Sequence, residues 1–236
     1  MSIFVVSDIH GMYKQFEQIL QFWDQESKLV LLGDLVDRGP QSLEVIRKAM
    51  ALKATYGEQV TVCKGNHEQI LLDFIRFPVD HYDYLLSAGV RETLLSFLDE
   101  TPDTVKTLNS SMQQVDYIRE HFADEFAFLE NAKPFKVIHN VLLTHAGFHS
   151  RSANFLESTD HDFLWIRKHY QQPNQTPYVN VFGHTPTKLI HRADDVWISE
   201  DKKYIAIDGG CAYGGQLNAV LLNYQGEVLQ TFCVKA

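Results

Sequence analysis

The N-terminal third of the chain alternates between short, continuous apolar runs and longer segments with apolar residues at helical spacing. The apolar runs lie at residues 3–6, 29–32 and 60–63, and the periodic segments at residues 12–24, 42–53 and 68–77. Short apolar runs bounded by turn residues indicate buried strands, and a 3.6-residue period indicates amphipathic helices. The alternation of the two predicts parallel strands with helices packed on the sheet.

Residues 79–134 form a more polar region whose pattern is mostly helical, most clearly at 85–98 and 117–129. Two interpretations of this insertion remain open, a cap beside the functional face and a plain second helical layer. From residue 135 onward the pattern changes to antiparallel β-structure. Strands are predicted at 135–138, 141–144, 179–182, 196–199, 204–207, 218–223 and 227–234.

Two sheets with helices outside them predict an α/β (α+β) fold, a four-layer αββα sandwich with a helical insertion around 79–134. The 236 residues suit one domain, residues 1–236, better than two. No apolar run has the length of a signal peptide or of the roughly 18 residues that span a bilayer. We therefore expect a cytoplasmic protein without a membrane partner.

Charge and cysteine content restrict the classes of function that the sequence allows. The formal net charge of −9 argues against nucleic acid as a partner, because binding to its backbone requires a basic face. The net charge does not exclude a phosphorylated substrate, because bound divalent cations would make the electrostatic potential around them positive. The three cysteines match no zinc-binding spacing. Cys63 and Cys233 are expected to be buried thiols, and Cys211 lies in a glycine-rich loop.

Five predicted strands are followed at once by polar side chains that can bind metal ions. The short segments that carry them are Asp8-Ile9-His10-Gly11, Gly33-Asp34, Gly65-Asn66-His67-Glu68, Thr144-His145-Ala146-Gly147 and Gly183-His184-Thr185. In open α/β sheets, ligands bind beyond the carboxyl ends of the strands. The predicted ligands are Asp8, His10, Asp34, Asn66, His145 and His184.

The types of these side chains indicate which metals would bind. A carboxylate such as Asp34 can bridge two cations about 3.5–4 Å apart. Mixed oxygen and imidazole ligands suit manganese, iron, zinc or cobalt better than a pure magnesium site. Taken singly, Asp8 and His10 could instead be a capping residue and a surface histidine, and His145 and His184 could be structural histidines.

Four further residues are candidates for catalysis. His67 follows Asn66 directly, and neighbouring residues in a loop rarely face one ion, so His67 is better placed as a proton donor. Asp37 would orient its ring. Arg38 and Arg167 can hold phosphate oxygens with their planar guanidinium groups. The alternatives are a surface ion pair for Arg38 and an exposed helical side chain for Arg167.

The remaining polar residues give weaker signals. Asp208 lies at a predicted strand end and could support His184, and Tyr213 could line the site. Glu68 is expected to begin a helix and to interact with its dipole. The other histidines have no partner that the sequence reveals and are taken as structural or solvated; they are His81, His121, His139, His149, His161, His169 and His191.

Taken in order, these motifs resemble the phosphoprotein phosphatase family of the calcineurin-like metallophosphoesterases, in particular its bacterial and phage-type members. The resemblance covers nearly the whole chain. It implies that Asp8, His10 and Asp34 hold one metal ion and that Asp34, Asn66, His145 and His184 hold a second. It also implies that His67 is the general acid with Asp37 as its partner, and that Arg38 and Arg167 clamp the phosphate. Manganese is the expected metal, with iron, zinc, cobalt or nickel as alternatives.

The resemblance implies a phosphatase that uses two metal ions and direct attack of a metal-bridging water. Pro186 stands where diesterases of the superfamily carry a second histidine. We therefore expect a bacterial-type serine/threonine protein phosphatase acting on a phosphorylated protein or a small phosphorylated substrate. The alternative is a dinucleoside-polyphosphate hydrolase that cleaves diadenosine tetraphosphate. A non-enzymatic binding module is disfavoured, because no ligand and no general acid is missing.

Overall fold

The computed structural model describes residues 1–78, 89–107 and 111–236, and within these it contains two five-stranded sheets. The strands, in chain order, are β1 Ser2–Val6, β2 Lys28–Leu31, β3 Val60–Val62, β4 Phe135–Ile138, β5 Val141–Thr144, β6 Val179–Phe182, β7 Trp197–Ile198, β8 Tyr204–Ala206, β9 Gln216–Asn223 and β10 Val228–Lys235. The helices are α1 Tyr13–Leu20, α2 Ser42–Tyr56, α3 Asn66–Arg76, α4 Val90–Asp99, α5 Asp103–Lys106, α6 Ser111–His121, α7 Ala123–Glu130, α8 Asp160–Trp165 and α9 Lys188–His191.

The first sheet has the strand order β10-β9-β1-β2-β3, and its central strand β1 is buried on both faces. Successive side chains of a strand point to opposite faces. In β1, Phe4 and Val6 belong to the core formed with the helices, whereas Ile3 and Val5 belong to a second core shared with the other sheet. Because both faces are covered, β1 is a continuous apolar run rather than an alternating one.

The second sheet has the order β4-β5-β6-β8-β7 and also carries apolar side chains on both faces. Leu143 of β5 faces the first sheet, and Leu142 faces a third core that contains Phe148 and Phe163. Helix α8 and the loops around it therefore form the fourth layer. The predicted four-layer α/β sandwich is confirmed.

The prediction of antiparallel structure after residue 134 is only partly right. Strands β5, β6 and β8 are parallel neighbours, because residues 145–178 and 183–203 cross over between them. Strand β9 pairs antiparallel with β1 and thus joins the first sheet. The chain consequently returns from the second sheet to the first before it ends.

The described part of the insertion is a helical layer on the first sheet. Phe97 of α4 packs against Phe122 and Phe126, with ring centroids 4.9 and 5.4 Å apart, in the core that also contains α2 and α3. The predicted helix 117–129 is two helices, α6 and α7, which meet at Phe122. Part of the predicted helix 85–98, and His81, lie outside the described residues.

Cysteine burial differs from the prediction at one position. Cys63 and Cys211 are buried, but Cys233 is exposed because β10 is an edge strand with one face in solvent. In the part of the chain that the structure describes, no helix has the length and apolarity needed to cross a membrane.

His169 is a structural histidine, as predicted, and it makes stability depend on pH. Its Nε2 lies 3.0 Å from Asn180 Oδ1, and burial lowers its pKa to about 4. In the unfolded chain its pKa is about 6.5, so as the pH falls below that value the unfolded state gains a proton that the folded state resists. His169 therefore contributes nothing to the pH dependence above about pH 7 and destabilises the fold progressively towards pH 4.

We expect wild type to lose about 2 kcal/mol relative to His169→Gln between about pH 7.5 and pH 5. Urea denaturation of both proteins at each pH measures this difference, and the comparison cancels the contribution of the other histidines. Parallel stability curves for the two proteins would contradict the assignment.

Candidate metal centre

The predicted ligands come together because the carboxyl ends of the parallel strands in both sheets lie at one edge of the sandwich. Asp34 follows β2 and Asn66 opens α3 after β3. His145 follows β5 and His184 follows β6. All six predicted ligands are buried: Asp8, His10, Asp34, Asn66, His145 and His184.

Asp34 lies between two groups of possible ligands. Its Oδ2 is 3.4 Å from His10 Nε2, and its Oδ1 is 3.3 Å from His145 Nε2. The possible ligand atoms of Asp34, His10 and His67 lie within 4.8 Å of one another, and so do those of Asp34, His145 and His184. A carboxylate that belongs to both groups has the placement that a bridging ligand requires.

Hydrogen bonds from the opposite ring nitrogens fix how two of the histidines face the centre. His10 Nδ1 donates to the Val36 carbonyl and His145 Nδ1 donates to the Leu32 carbonyl, each at 2.8 Å. The Nε2 lone pairs therefore point into the centre. There His145 Nε2 lies 3.0 Å from Asn66 Oδ1, so two acceptors face each other without a proton between them. A cation fits between such groups.

The protonation states of the centre also suit cations. Burial lowers the pKa of His10 to about 3 and that of His184 to about 2, so both rings are neutral and can bind metal. His184 Nε2 is buried and has no hydrogen-bond partner among the described residues. Burial raises the pKa of Asp34, but the neighbouring histidines outweigh this and hold it well below its usual range. The residues present fit divalent metal ions.

Asp8 follows β1 and makes several hydrogen bonds at the centre. Its carboxylate accepts hydrogen bonds from the His184 backbone N–H at 3.0 and 3.1 Å and from the Ser7 hydroxyl at 2.5 Å. Burial raises the pKa of Asp8, and the negative charges of Asp208 and Asp34 raise it further. Asp8 thus joins the two sheets at the centre, and its place in the first ligand set stays a prediction.

His67 and Asp37 form the predicted pair. His67 Nδ1 lies 2.8 Å from Asp37 Oδ2, which leaves Nε2 facing the centre. Burial lowers the pKa of His67, but the charge of Asp34 and the hydrogen bond to Asp37 outweigh it, so the pKa lies above its ordinary value. A histidine with this pKa can hold a proton near neutral pH.

Thr93 is a residue that the sequence did not single out. It lies in α4 of the insertion and is fully buried. Its hydroxyl donates to Asp37 Oδ1 at 2.7 Å and accepts from the Asp37 backbone N–H at 2.8 Å. The insertion therefore holds Asp37, which in turn orients His67. No sequence signal indicates this role, because the two residues are 56 positions apart.

We expect Thr93→Val to destabilise the fold by about 1–3 kcal/mol, because it removes a hydrogen bond from a buried carboxylate. Looser alignment of the Asp37–His67 pair is expected to lower kcat as well, by about tenfold. Urea denaturation and steady-state kinetics measure the two effects. Thr93→Ser keeps the hydroxyl and should stay near wild type in both. Equal losses in the two variants would contradict the role of the hydroxyl.

Glu68 does more than interact with a helix dipole. Its carboxylate is fully buried and accepts backbone hydrogen bonds from Gly65, Asp34 and Leu35 at 2.7–2.8 Å. It thereby ties the loop after β2 to the start of α3. This contact sets the spacing between Asp34 and Asn66.

The two predicted phosphate clamps line one cavity of about 490 Å³ beside the centre. Arg167 donates to the His184 carbonyl at 3.0 Å, and Arg38 Nη2 donates to His67 Nε2 at 2.8 Å. Arg38 Nη1 also contacts His10 Nε2. Both guanidinium groups therefore lie beside the candidate centre, and Arg38 touches it directly.

Asp208 and Tyr213, the two weaker candidates, also line this cavity. Asp208 Oδ1 accepts from the Gly210 N–H at 2.9 Å, and its backbone carbonyl accepts from Thr187. The predicted support of His184 by Asp208 has no hydrogen bond among the described residues. Asp208 instead shapes the loop that carries Tyr213.

The sequence model named calcineurin-like phosphoesterase matches residues 1–213, most of the chain. The chain belongs to the calcineurin-like phosphoesterases. A symmetrical bis(5'-nucleosyl)-tetraphosphatase of Chromobacterium violaceum is 26% identical over 94% of this chain and 92% of its own length. Another protein of that name, from Nitrosococcus oceani, is 40% identical, but the match covers 43% of this chain and 38% of the relative.

Solved structures of phosphoesterases have the same fold. One provisionally named a diadenosine tetraphosphatase aligns with a TM-score of 0.65 and 21% identity, over 99% of this chain and 93% of its own. A serine/threonine phosphatase from Saccharomyces cerevisiae aligns with a TM-score of 0.57 and 15% identity, over 100% of this chain and 79% of its own. At these identities the likeness concerns the fold alone.

The phosphoesterase centre is built on strained backbone. Asp8, Asp34, Asp37 and His184 have φ between 52° and 71°, the left-handed region that side chains other than glycine rarely adopt. His10 and Arg38, at 48° and 72°, share this conformation. Such residues persist where the surrounding structure holds them, and they cluster at functional sites. The centre is therefore held in place by its surroundings and not by local preference.

Proposed function

We propose that this phosphoesterase hydrolyses dinucleoside polyphosphates, with diadenosine tetraphosphate as its representative substrate. The observation that carries this proposal is the full-length similarity to a symmetrical bis(5'-nucleosyl)-tetraphosphatase. The open cavity beside the candidate centre, lined by two arginines and apolar side chains, supports it. The protein phosphatase that the sequence favoured becomes the second candidate, because Pro186 stands where diesterases of the superfamily carry a second histidine.

We further propose two Mn²⁺ ions as the resident metals, with Asp34 as a ligand that both would share. His10 would hold one ion, and Asn66, His145 and His184 would hold the other, with Asp8 contributing to the first. Bound there, the ions would act as Lewis acids on the phosphate oxygens and would make water nucleophilic at neutral pH.

The side chains of the protein orient the substrate. Arg38 and Arg167 line the same cavity, so both guanidinium groups can bind oxygens of one phosphate chain. Their charge would offset the negative charge on the equatorial oxygens of the reacting phosphoryl group. His67 lies beside Arg38, and its Nε2 would protonate the departing oxygen.

Arg38 also controls when His67 can act as an acid. A guanidinium group only donates, so in its 2.8 Å contact with Arg38 the His67 Nε2 is the acceptor and is unprotonated. When Arg38 turns its donors to a phosphate, Nε2 becomes free to carry a proton, which Asp37 favours. Substrate binding thereby allows His67 to be protonated and to act as the general acid.

Hydrolysis of diadenosine tetraphosphate and of a phosphothreonine peptide by the manganese-loaded protein, compared as kcat/KM, tests the proposal. A strong preference for the dinucleotide with two ADP as the products is expected. A preference for the peptide would overturn it, and ATP with AMP as the products would contradict symmetrical cleavage. Asp34→Asn prepared in the same way is the matched control, because residual activity in that sample would reveal a contaminating phosphatase.

A further inference from the structure

The cavity beside the metal centre is lined by both cationic and apolar side chains. Besides Arg38, Arg167 and His184, its lining includes Leu189 and Tyr213. Its volume of about 490 Å³ is within the range of sites that hold small molecules. The metal centre and the phosphate clamps use only part of this lining, which leaves the apolar part without a role.

Tyr213 and Leu189 are large apolar side chains that the fold leaves in water. Tyr213 is 67% exposed and Leu189 is 74% exposed. Tyr213 ends a tight turn between Gly210 and Gly214, which have φ of 65° and 81°. Cys211 is buried and anchors this turn, which holds the backbone of Tyr213 in place while its ring is exposed. Aromatic and apolar surface exposed together in a cavity indicates a ligand site.

The position of Tyr213 relative to the phosphate clamp narrows the class of ligand. The centre of the Arg38 guanidinium lies 4.9 Å from the centroid of the Tyr213 ring. If Arg38 binds the phosphate of a ligand, the group attached to that phosphate therefore lies beside the aromatic face of Tyr213. Nucleotides carry a flat base close to their phosphates, and bases stack on such faces.

Lys188 adds a third cationic side chain to the lining of the cavity. It lines the same cavity, is exposed, and forms no ion pair within the described parts of the chain. Together with Arg38 and Arg167 it gives this cavity three cationic side chains, against the carboxylates of Asp194 and Asp208. A single phosphate held by two arginines leaves Lys188 for a neighbouring phosphate.

We infer that this cavity is a nucleoside site, in which the base of a nucleoside polyphosphate stacks on Tyr213 and packs against Leu189 while Lys188 binds a phosphate next to the reacting one. This inference rests on the proposed function for the identity of the substrate, and it adds the residues that select a nucleotide over other phosphate esters. Tyr213 is in this view a specificity residue.

The binding of two probes to the manganese-loaded protein tests the inference. ADP and ribose 5-diphosphate differ only in the base, and isothermal titration calorimetry gives the Kd of each. We expect wild type to bind ADP about tenfold more tightly, the effect of one stacked base. Tyr213→Ser should reduce this ratio to about one, and Tyr213→Phe should keep it. Leu189→Ser should reduce it in part, and the exposed Leu229→Ser on another surface is the control.

The possible outcomes separate this inference from the proposed function. A base preference that Tyr213→Ser leaves unchanged would overturn the inference, whether or not the dinucleotide is cleaved. Loss of the preference in Tyr213→Ser supports it even if a phosphopeptide proves to be the better substrate. If Tyr213→Ser instead weakens binding of a phosphotyrosine peptide and leaves the ADP ratio near one in every variant, the cavity serves peptide substrates and the inference is wrong.

Discussion

Asp34→Asn is expected to abolish metal binding and activity together. The two Asp34 oxygens lie 3.3 and 3.4 Å from His145 and His10, so the loss of its charge weakens both ligand groups at once. Because the proposed ions contribute several kcal/mol to catalysis, kcat should fall by about a thousandfold or more. Asparagine has the same shape and tolerates the φ of 52° at this position, so the backbone should not change.

Metal analysis by mass spectrometry measures the loss of metal binding, and so does the shift of Tm on adding Mn²⁺. Wild type should gain stability with Mn²⁺ because the ions bind only the folded state, and Asp34→Asn should not. Asp103→Asn, which alters an exposed carboxylate in α5, is the control. A normal metal content in Asp34→Asn would refute the bridging position.

His67→Asn should slow the enzyme strongly on esters with poor leaving groups and only slightly on nitrophenyl phosphate. A departing alkoxide needs a proton, and general acid catalysis contributes about 10²- to 10⁴-fold. A nitrophenolate leaves without one. The variant should keep its metal ions, because His67 Nδ1 is directed at Asp37 and its ring is proposed to donate a proton instead of binding an ion.

The comparison of kcat for an alkyl phosphate and for nitrophenyl phosphate measures this effect, with metal content determined on the same samples. His121→Asn, on the exposed face of α6, is the matched control. Similar losses on both substrates would contradict the general acid role, and loss of metal would make His67 a ligand. The second result would agree with the closeness of His67 to His10 and Asp34.

The sequence predicted the layered fold because strand and helix periods differ clearly. Residues 135–138 and 141–144 coincide with β4 and β5, since each is a short apolar run bounded by turns. The direction of pairing could not be read in the same way. Both faces of β5, β6 and β8 are buried, so their pattern does not show whether the neighbouring strand is parallel or antiparallel.

The candidate site was predictable where side chains act close to a strand end and unpredictable where they act across the chain. Asp34 and His145 follow apolar runs and belong to short motifs. Thr93 lies in a region without a motif, and the fold brings it to Asp37. The several backbone contacts of Glu68 were missed for a related reason, because backbone N–H groups leave no trace in a sequence.

The left-handed backbone at Asp37 and Arg38 has a consequence for how this protein can evolve. Each such residue costs roughly 1–3 kcal/mol of folding free energy, and glycine would relieve that cost. Selection for thermal persistence alone would therefore favour glycine at the positions on which the chemistry depends. Heat tolerance and turnover are in conflict at these positions, and the rest of the sandwich must supply the surplus stability that lets the strained side chains remain.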